Sequence, residues 1–260
     1  MNYPDAAREL KVALRLRTEP LGVGFLPPGE ALPEKTRRPS QVFGKRVTIC
    51  QGVTMARVYG WAVGLTPEDL ICVPGMLAFG LAPEPEPTGA LTGLLCEVGF
   101  HPKEETARRE VEGLFRFAPG EMGGIYLAPL ERLAREPDVV LVYGNPAQLM
   151  RLIQGAVFGT GERALGDFGG KIECTSYLIA PLKTGQVRVA LPGAGDRIFS
   201  MTQDDELVVS FPARVLEDVL SGIKEAGKKI GARYPITYYQ NFQPEFPPPY
   251  RERAKRWGIL

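Results

Sequence analysis

The sequence predicts an α/β protein of the mixed α+β kind, a single compact domain with a mixed central sheet flanked by helices. Three observations predict it. Short apolar segments with strand character recur at 21–26, 123–128, 138–143, 186–191 and 206–211. Stretches of helical periodicity separate them, and Gly or Pro punctuates their ends. One segment, DVVLVY at 138–143, is apolar along almost its whole length, as a central strand covered on both faces should be.

The chain has 260 residues, enough to bury a full core. Residues 1–232 are expected to form the domain. Residues 233–260, rich in Tyr, Phe and Pro, are expected to pack on it as an irregular arm, because their aromatic rings need a surface to bury against. With 44% apolar and 23% charged residues and a net charge of +1, nothing marks a nucleic-acid surface. The apolar runs are too short and too broken to cross a bilayer, and the first residues lack the apolar core of a secretory signal. A cytoplasmic protein is expected, in which four cysteines are thiols or metal ligands rather than disulfides. Abundant Pro (24) beside scarce Asn fits either a thermophile or a GC-rich genome.

In chain order, residues 4–17 read as a helix with Ala7, Leu10, Ala13 and Leu14 on one side. Strand 21–26 (LGVGFL) ends at Pro27-Pro28-Gly29. A polar loop to about residue 45 carries Arg37, Arg38, Lys45 and Arg46, close enough in sequence to Cys50 to lower a thiol's pKa if the fold turns them inward. The organising stretch is 46–81. Cys50 and Cys72 bracket a short helical segment with Gly52, Ala56, Gly60 and Gly64 at spacing four, a face on which another backbone could come close. Thr66-Pro67-Glu68-Asp69 reads as a capped helix start.

Residues 75–82 are expected to be buried, and Pro83–Pro87 to form a stiff spacer. Cys96 lies in an apolar setting, and 103–117 is a charged helix with Val111, Leu114 and Phe115 inward. Strands 123–128 and 138–143 flank a short helix. Gly144-Asn145-Pro146 is a strand-to-helix turn with Asn as N-cap, whose N–H groups could meet an anion. The helix it opens runs to about Phe158. Residues 159–170 form a Gly-rich loop without GK[ST] or GxGxxG, hence no phosphate or dinucleotide fingerprint. Cys174 follows in IECTSY. Strand 186–191 ends at Pro192-Gly193-Ala194-Gly195-Asp196-Arg197, and Pro212 after strand 206–211 opens a helix to about 228. A degenerate internal duplication is expected from the likeness of 52–72 to 148–174, which would pair Cys72 with Cys174.

Several blocks, in order, carry a family resemblance: EPLGVGFL, TICQGVTMARVYGW, LTPEDLICVPGMLAFGL, EPDVVLVYGNPAQLMRLIQGAVF, IECTSY, GAGDR and DDELVVSFPARVLEDVL. Over roughly residues 8–225 the chain resembles the uncharacterised family known as domain of unknown function 169, the archaeal conserved region family. The resemblance implies no activity. It implies cysteines at Cys50, Cys72 and Cys174, and a Cys-rich piece where this chain reads Pro192–Arg197 without cysteine. Cys96 matches none of the family positions and is expected to be a core residue.

The chemistry narrows by residue type. His101 is the single histidine, so histidine-based metal sites and Cys–His or Ser–His pairs have almost nothing to use. Zinc knuckles and ferredoxin spacings are absent. What remains is a dispersed site in which Cys50, Cys72 and Cys174 hold an iron–sulfur cluster, expected to be of the [4Fe–4S] type, in a redox or sensing protein served by a redox partner protein. The alternative is a metal-free module binding a small anionic ligand through Asn145 and Arg57, Arg151 or Arg197. No nucleic acid or membrane partner is expected. Whether the chain is an enzyme, and its oligomeric state, are open from sequence.

Overall fold

The computed structural model describes residues 1–83, 85, 89–235 and 246–260. Helix α1 (Tyr3–Leu14) starts at Asn2, whose side chain accepts from the Asp5 N–H, and it buries Ala6, Ala7, Leu10 and Leu14. Strand β1 (Leu21–Leu26), short helix α2 (Pro39–Phe43), helix α3 (Ile49–Tyr59) and strand β2 (Val63–Leu65) follow. After a 3-10 turn at Pro67–Asp69 come α4 (Val73–Ala78), α5 (Ala90–Glu97), α6 (Glu104–Gly113) and β3 (Gly124–Pro129). The second half runs β4 (Val139–Gly144), α7 (Pro146–Ala156), a π-helical turn (Thr175–Ile179) continuing as α8 (Ala180–Thr184), β5 (Arg188–Ala190), α9 (Ala194–Phe199), β6 (Leu207–Pro212) and α10 (Leu216–Glu225). A last helix, α11 (Pro248–Arg256), lies near the C-terminus.

The strands form one six-stranded sheet in the order β2-β3-β1-β4-β6-β5, with β4 central. Among the described residues every strand pairing is antiparallel, where a mixed sheet was expected, and parallel contacts occur there only as isolated bridges such as Arg37 with Val63. Side chains alternate across the sheet. Val23, Leu141, Tyr143 and Val208 meet α3, α4 and the π-helical turn on one face. Val140, Val142, Val209 and Phe211 meet α1, α7 and α10 on the other. Burying both faces explains why DVVLVY is apolar throughout.

The sheet order reads the same from either edge when β1, β2 and β3 are exchanged for β4, β5 and β6. The register agrees residue by residue. Leu21 faces Pro129 as Val139 faces Pro212, and Val63 faces Leu127 as Arg188 faces Ser210. Leu21–Leu141 and Val23–Val139 bracket the Gly22–Val140 pair, which therefore marks a two-fold axis. Loop contacts repeat as well. The Leu130 N–H donates to the Pro20 carbonyl at 2.9 Å, and the Ala213 N–H to the Asp138 carbonyl at 2.9 Å. Gly64 N–H bonds the Arg37 carbonyl (3.0 Å) as Val189 N–H bonds that of Leu165 (2.7 Å). The fold is an internal duplication.

Its true alignment differs from the expected one. Helix α3 ends at Gly60 (φ 68°) and leads into β2, while α8 ends at Gly185 (φ 72°) and leads into β5. The π-helical turn, with its longer repeat, accommodates one extra residue in the second copy. Cys50 thus corresponds to Cys174, and the match of 52–72 to 148–174 does not hold.

Two further expectations change. The small-residue face is not a single helical stripe, because Gly60 is a left-handed cap and Gly64 lies in β2; a Cβ at Gly52 would meet the Leu65 side chain rather than backbone. The spacer at 83–87 lies largely outside the described residues, as does the middle of the tail. Where the tail is described it forms α11, without a buried residue, and Tyr250 and Trp257 are exposed instead of packed.

Candidate functional site

On the α3 face of the sheet a cavity of about 600 Å³ opens between the two halves. Cys50, Cys72 and Cys174 all line it. Each is placed by a helix start. Cys50 sits in the first turn of α3, behind the capping box of Thr48 and Gln51. Cys72 is the N-cap of α4, where Pro74 falls in the first turn. Cys174 precedes the π-helical turn. The remaining wall is mostly apolar, with Ile49, Leu95 and Ile172 inside and exposed Ile71, Val98, Phe100, Ile198 and Phe199 around the mouth.

The Cys50 sulfur is 2.9 Å from the Thr48 hydroxyl and donates to the Gly195 carbonyl at 3.5 Å, which ties the first half to α9 of the second. Cys174 donates to the Ile172 carbonyl at 3.8 Å. All four cysteines are free thiols. Burial pushes the Cys50 thiol up to about 12, with Asp196 adding to the rise and the Thr48 hydroxyl opposing it. Burial also raises Cys72, against the N–H groups of Gly75 and Ile49. Cys174 stands well above the usual thiol range through burial, then through Cys72, Asp196 and Cys50. The expected help from the basic loop is missing for a geometric reason. Arg38 turns to Asp69 at 2.9 Å, and Arg37 stacks over Trp61 with its guanidinium carbon 4.2 Å from the ring centre. Lys45 and Arg46 are exposed.

Two carboxyl groups that sequence reading passed over also line the cavity, Asp196 and Glu173. Asp196 accepts from the Tyr177 hydroxyl at 2.6 Å and from the Gly193 N–H at 3.0 Å. Burial raises its pKa, against those two donors and Arg57. Oε1 of Glu173 accepts from the N–H groups of Gly169 and Gly170 at 2.5 and 2.6 Å. Burial raises the pKa of Glu173 too. The available signals were Asp196 in a GAGD helix start and Glu173 beside a cysteine, both too common to stand out alone. Among the described residues, no group of three or more His, Cys, Asp or Glu is placed so that it could hold a metal ion.

The proposed anion set does not converge, because each member is occupied by the protein itself. Arg57 is buried in a two-bond pair with Glu206 at 2.7 and 3.0 Å and lies over the Tyr143 ring at 4.0 Å. Asn145 exchanges capping bonds with Gln148, whose amide in turn donates to the Leu14 and Arg15 carbonyls that end α1. Arg151 donates to the carbonyls of Ile223 and Ala226 at the end of α10. Arg197 donates to the Gln203 carbonyl at 2.7 Å. None of the four lines the cavity. Cys96 packs with Leu91, Leu95, Ala107 and Val111 outside it. His101 is held by Glu110 at 2.5 Å, and Glu110 also pairs with Lys171 at 2.7 Å. Among the described residues no helix is long and apolar enough to cross a membrane.

An uncharacterized protein of Methanocaldococcus jannaschii is 27% identical over 179 residues, covering 67% of this chain and 75% of its own. No solved structure matches the chain at a significant level. The uncharacterised ArCR family, domain of unknown function 169, matches residues 9–222. That span includes both halves of the duplication and all three cysteines of the cavity, and the chain belongs to that family.

Proposed function

We propose that the protein is a cysteine-ligated iron–sulfur protein whose cluster occupies the cavity between the two halves, held by Cys50, Cys72 and Cys174. The observation that carries this reading is convergence. Cysteines from positions 50, 72 and 174 line one cavity, while Cys96 stays outside. Apart from Glu173, Asp196 and Lys171 the cavity walls are mostly apolar, a setting in which thiolate–iron bonding is shielded from water. Cluster binding needs the three thiols as thiolates, so it releases protons. The role is electron transfer or sensing, and electron transfer requires a redox partner protein. The anion-binding alternative has Arg57, Arg151 and Arg197 engaged by internal pairs and carbonyls, and none of them lines the cavity.

The test is anaerobic purification and reconstitution with iron and sulfide, followed by iron and acid-labile sulfide analysis and visible absorption. Stoichiometric iron and sulfide with thiolate-to-iron absorption support the reading. Protein that takes up neither under these conditions overturns it.

A further inference from the structure

Large apolar side chains stand in water around the mouth of the cysteine cavity. Ile71, Val73, Val98, Phe100, Ile198 and Phe199 are each between 48% and 71% exposed. The apolar surface continues beyond them. Met201, two residues after Phe199, meets the Tyr59 hydroxyl at 3.8 Å. Tyr59 packs on Trp61 with ring centres 5.5 Å apart, and Trp61 stacks on Phe43 at 5.7 Å. Met201, Tyr59 and Phe43 are exposed too. Single exposed apolar residues need no explanation, but a connected surface of this extent marks an interaction site.

Its size and charge say what kind of partner it fits. Half of a large side chain is on the order of 100 Å², so these nine present about 900 Å², against about 800 Å² per partner in a standard stable interface. Phe, Tyr, Trp and Met are the residue types enriched in interface cores. The charged side chains of the cavity lining are engaged within the chain. Lys171 pairs with Glu110 at 2.7 Å, Asp196 accepts from Tyr177 and Gly193, and Glu173 accepts from Gly169 and Gly170. An apolar surface without free charge in its cavity is best met by another of the same kind. The net charge of +1 sets up no strong repulsion between copies of the chain.

We propose that the cavity mouth is the interface of a homodimer, in which a second copy of this chain lays the same surface on it about a two-fold axis. A two-fold contact needs one patch that complements itself, and apolar surface against apolar surface meets that demand. Each copy then covers the other's cavity, so the cysteine site is closed to water only in the dimer. The proposal does not depend on what the cavity holds.

The test is sedimentation velocity on the full-length chain prepared without iron, which should give twice the mass of one chain at micromolar concentration. Ile198→Glu on α9 and Phe100→Glu beyond α5 each put a charge at the mouth. Both should sediment as single chains with the wild-type circular dichroism spectrum, because both positions are exposed. Val12→Glu, exposed on α1 against the opposite face of the sheet, should stay dimeric. Closure is read separately in a Cys96→Ser background. Cys72, partly exposed in one copy, should react with a thiol reagent at least several-fold faster in Ile198→Glu than in the dimer. A wild type that sediments as a single chain at every concentration overturns the proposal. Uptake of the neutral probe N-phenylnaphthylamine by such a chain would assign the surface to a small apolar ligand instead. Dimers that persist in both mouth variants, or an unchanged Cys72 rate, place the contact on another face and overturn the proposal equally. Failure to take up iron bears on the cluster reading alone.

Discussion

Cys50 and Cys174 hold the same position in the two halves of the protein. Each stands at the start of the helical segment that runs through a left-handed glycine, Gly60 or Gly185, into an edge strand. A duplicated unit with a thiol at the start of that helix brings its two copies to one cavity by symmetry.

The thiols should consequently divide three to one. Cys50→Ser, Cys72→Ser and Cys174→Ser are each expected to lower iron bound after anaerobic reconstitution by at least several-fold, because a hydroxyl is a poor substitute for thiolate. Cys96→Ser, set among Leu91, Leu95 and Ala107, should keep full loading and lose only a little stability. Equal loading in all four variants would remove the cavity from consideration.

Helices α7 and α10 should be the least forgiving contact in the fold. A Cβ at Gly222 would begin 2.0 Å from the Gly155 carbonyl oxygen, and one at Gly155 would meet the Ile223 nitrogen at 2.7 Å. Gly222→Ala must push the helices apart, at a cost of about 1–3 kcal/mol or more from overpacking. Gly93, inside α5, has nothing within 4 Å of an added Cβ, so Gly93→Ala should instead add about 0.5–1 kcal/mol. Urea denaturation of the two variants checks both signs.

Periodicity and capping made most of the elements legible. Asn145-Pro146 with Gln148 marks the start of α7, and DVVLVY marks the central strand, because these are local patterns. Strand direction left no such mark, since an apolar strand buried on both faces looks alike in parallel and antiparallel sheets. The helical run from Thr175 to Thr184 was hidden by a π-helical turn, which breaks the 3.6 period, and by Pro181. Helix α9 was hidden by its Gly-rich start. At the site, cysteines stand out because they are few, whereas Glu173 and Asp196 became visible only once the fold set them on the cavity wall. The arginines misled because a sequence shows their charge but not the carbonyls and Glu206 that already engage it.

Acid should loosen the first half through Asp69. This fully buried carboxylate accepts from the Ser40 hydroxyl at 2.5 Å, from the Thr66 N–H at 3.0 Å and from Arg38 at 2.9 Å. Burial raises its pKa, but Ser40, Thr66 and Arg38 together outweigh burial and hold it below the usual carboxylate range. A depressed folded pKa means the unfolded state binds the proton more readily. The stability is therefore present above the unfolded value of about 4 and is lost as pH falls through the folded value. Asp69→Asn should be less stable at neutral pH, and its stability should fall less steeply with acid below about pH 4. Parallel acid titrations of unfolding free energy in the two proteins would expose the idea as wrong if both curves fell with the same slope.

The pair Arg57–Glu206 should behave as a buried ion pair whose halves cannot be parted. Arg57 is 2% exposed and Glu206 4%, and the pair joins α3 of the first half to the segment entering β6 of the second. Glu206 also accepts from the Gln203 N–H at 2.9 Å, while Arg57 Nε has no partner and the guanidinium lies over the Tyr143 ring. Removing one charge leaves the other buried without compensation, at a cost of about 3–5 kcal/mol. Glu206→Leu and Arg57→Leu alone should each lose roughly that much in urea denaturation. The double variant should recover a large part of it, because two apolar side chains need no partner. The fold needs the charges matched more than it needs the charges themselves. If the double variant instead loses the sum of the two single costs, Arg57 and Glu206 act independently, and their contact is not what holds the two halves in register.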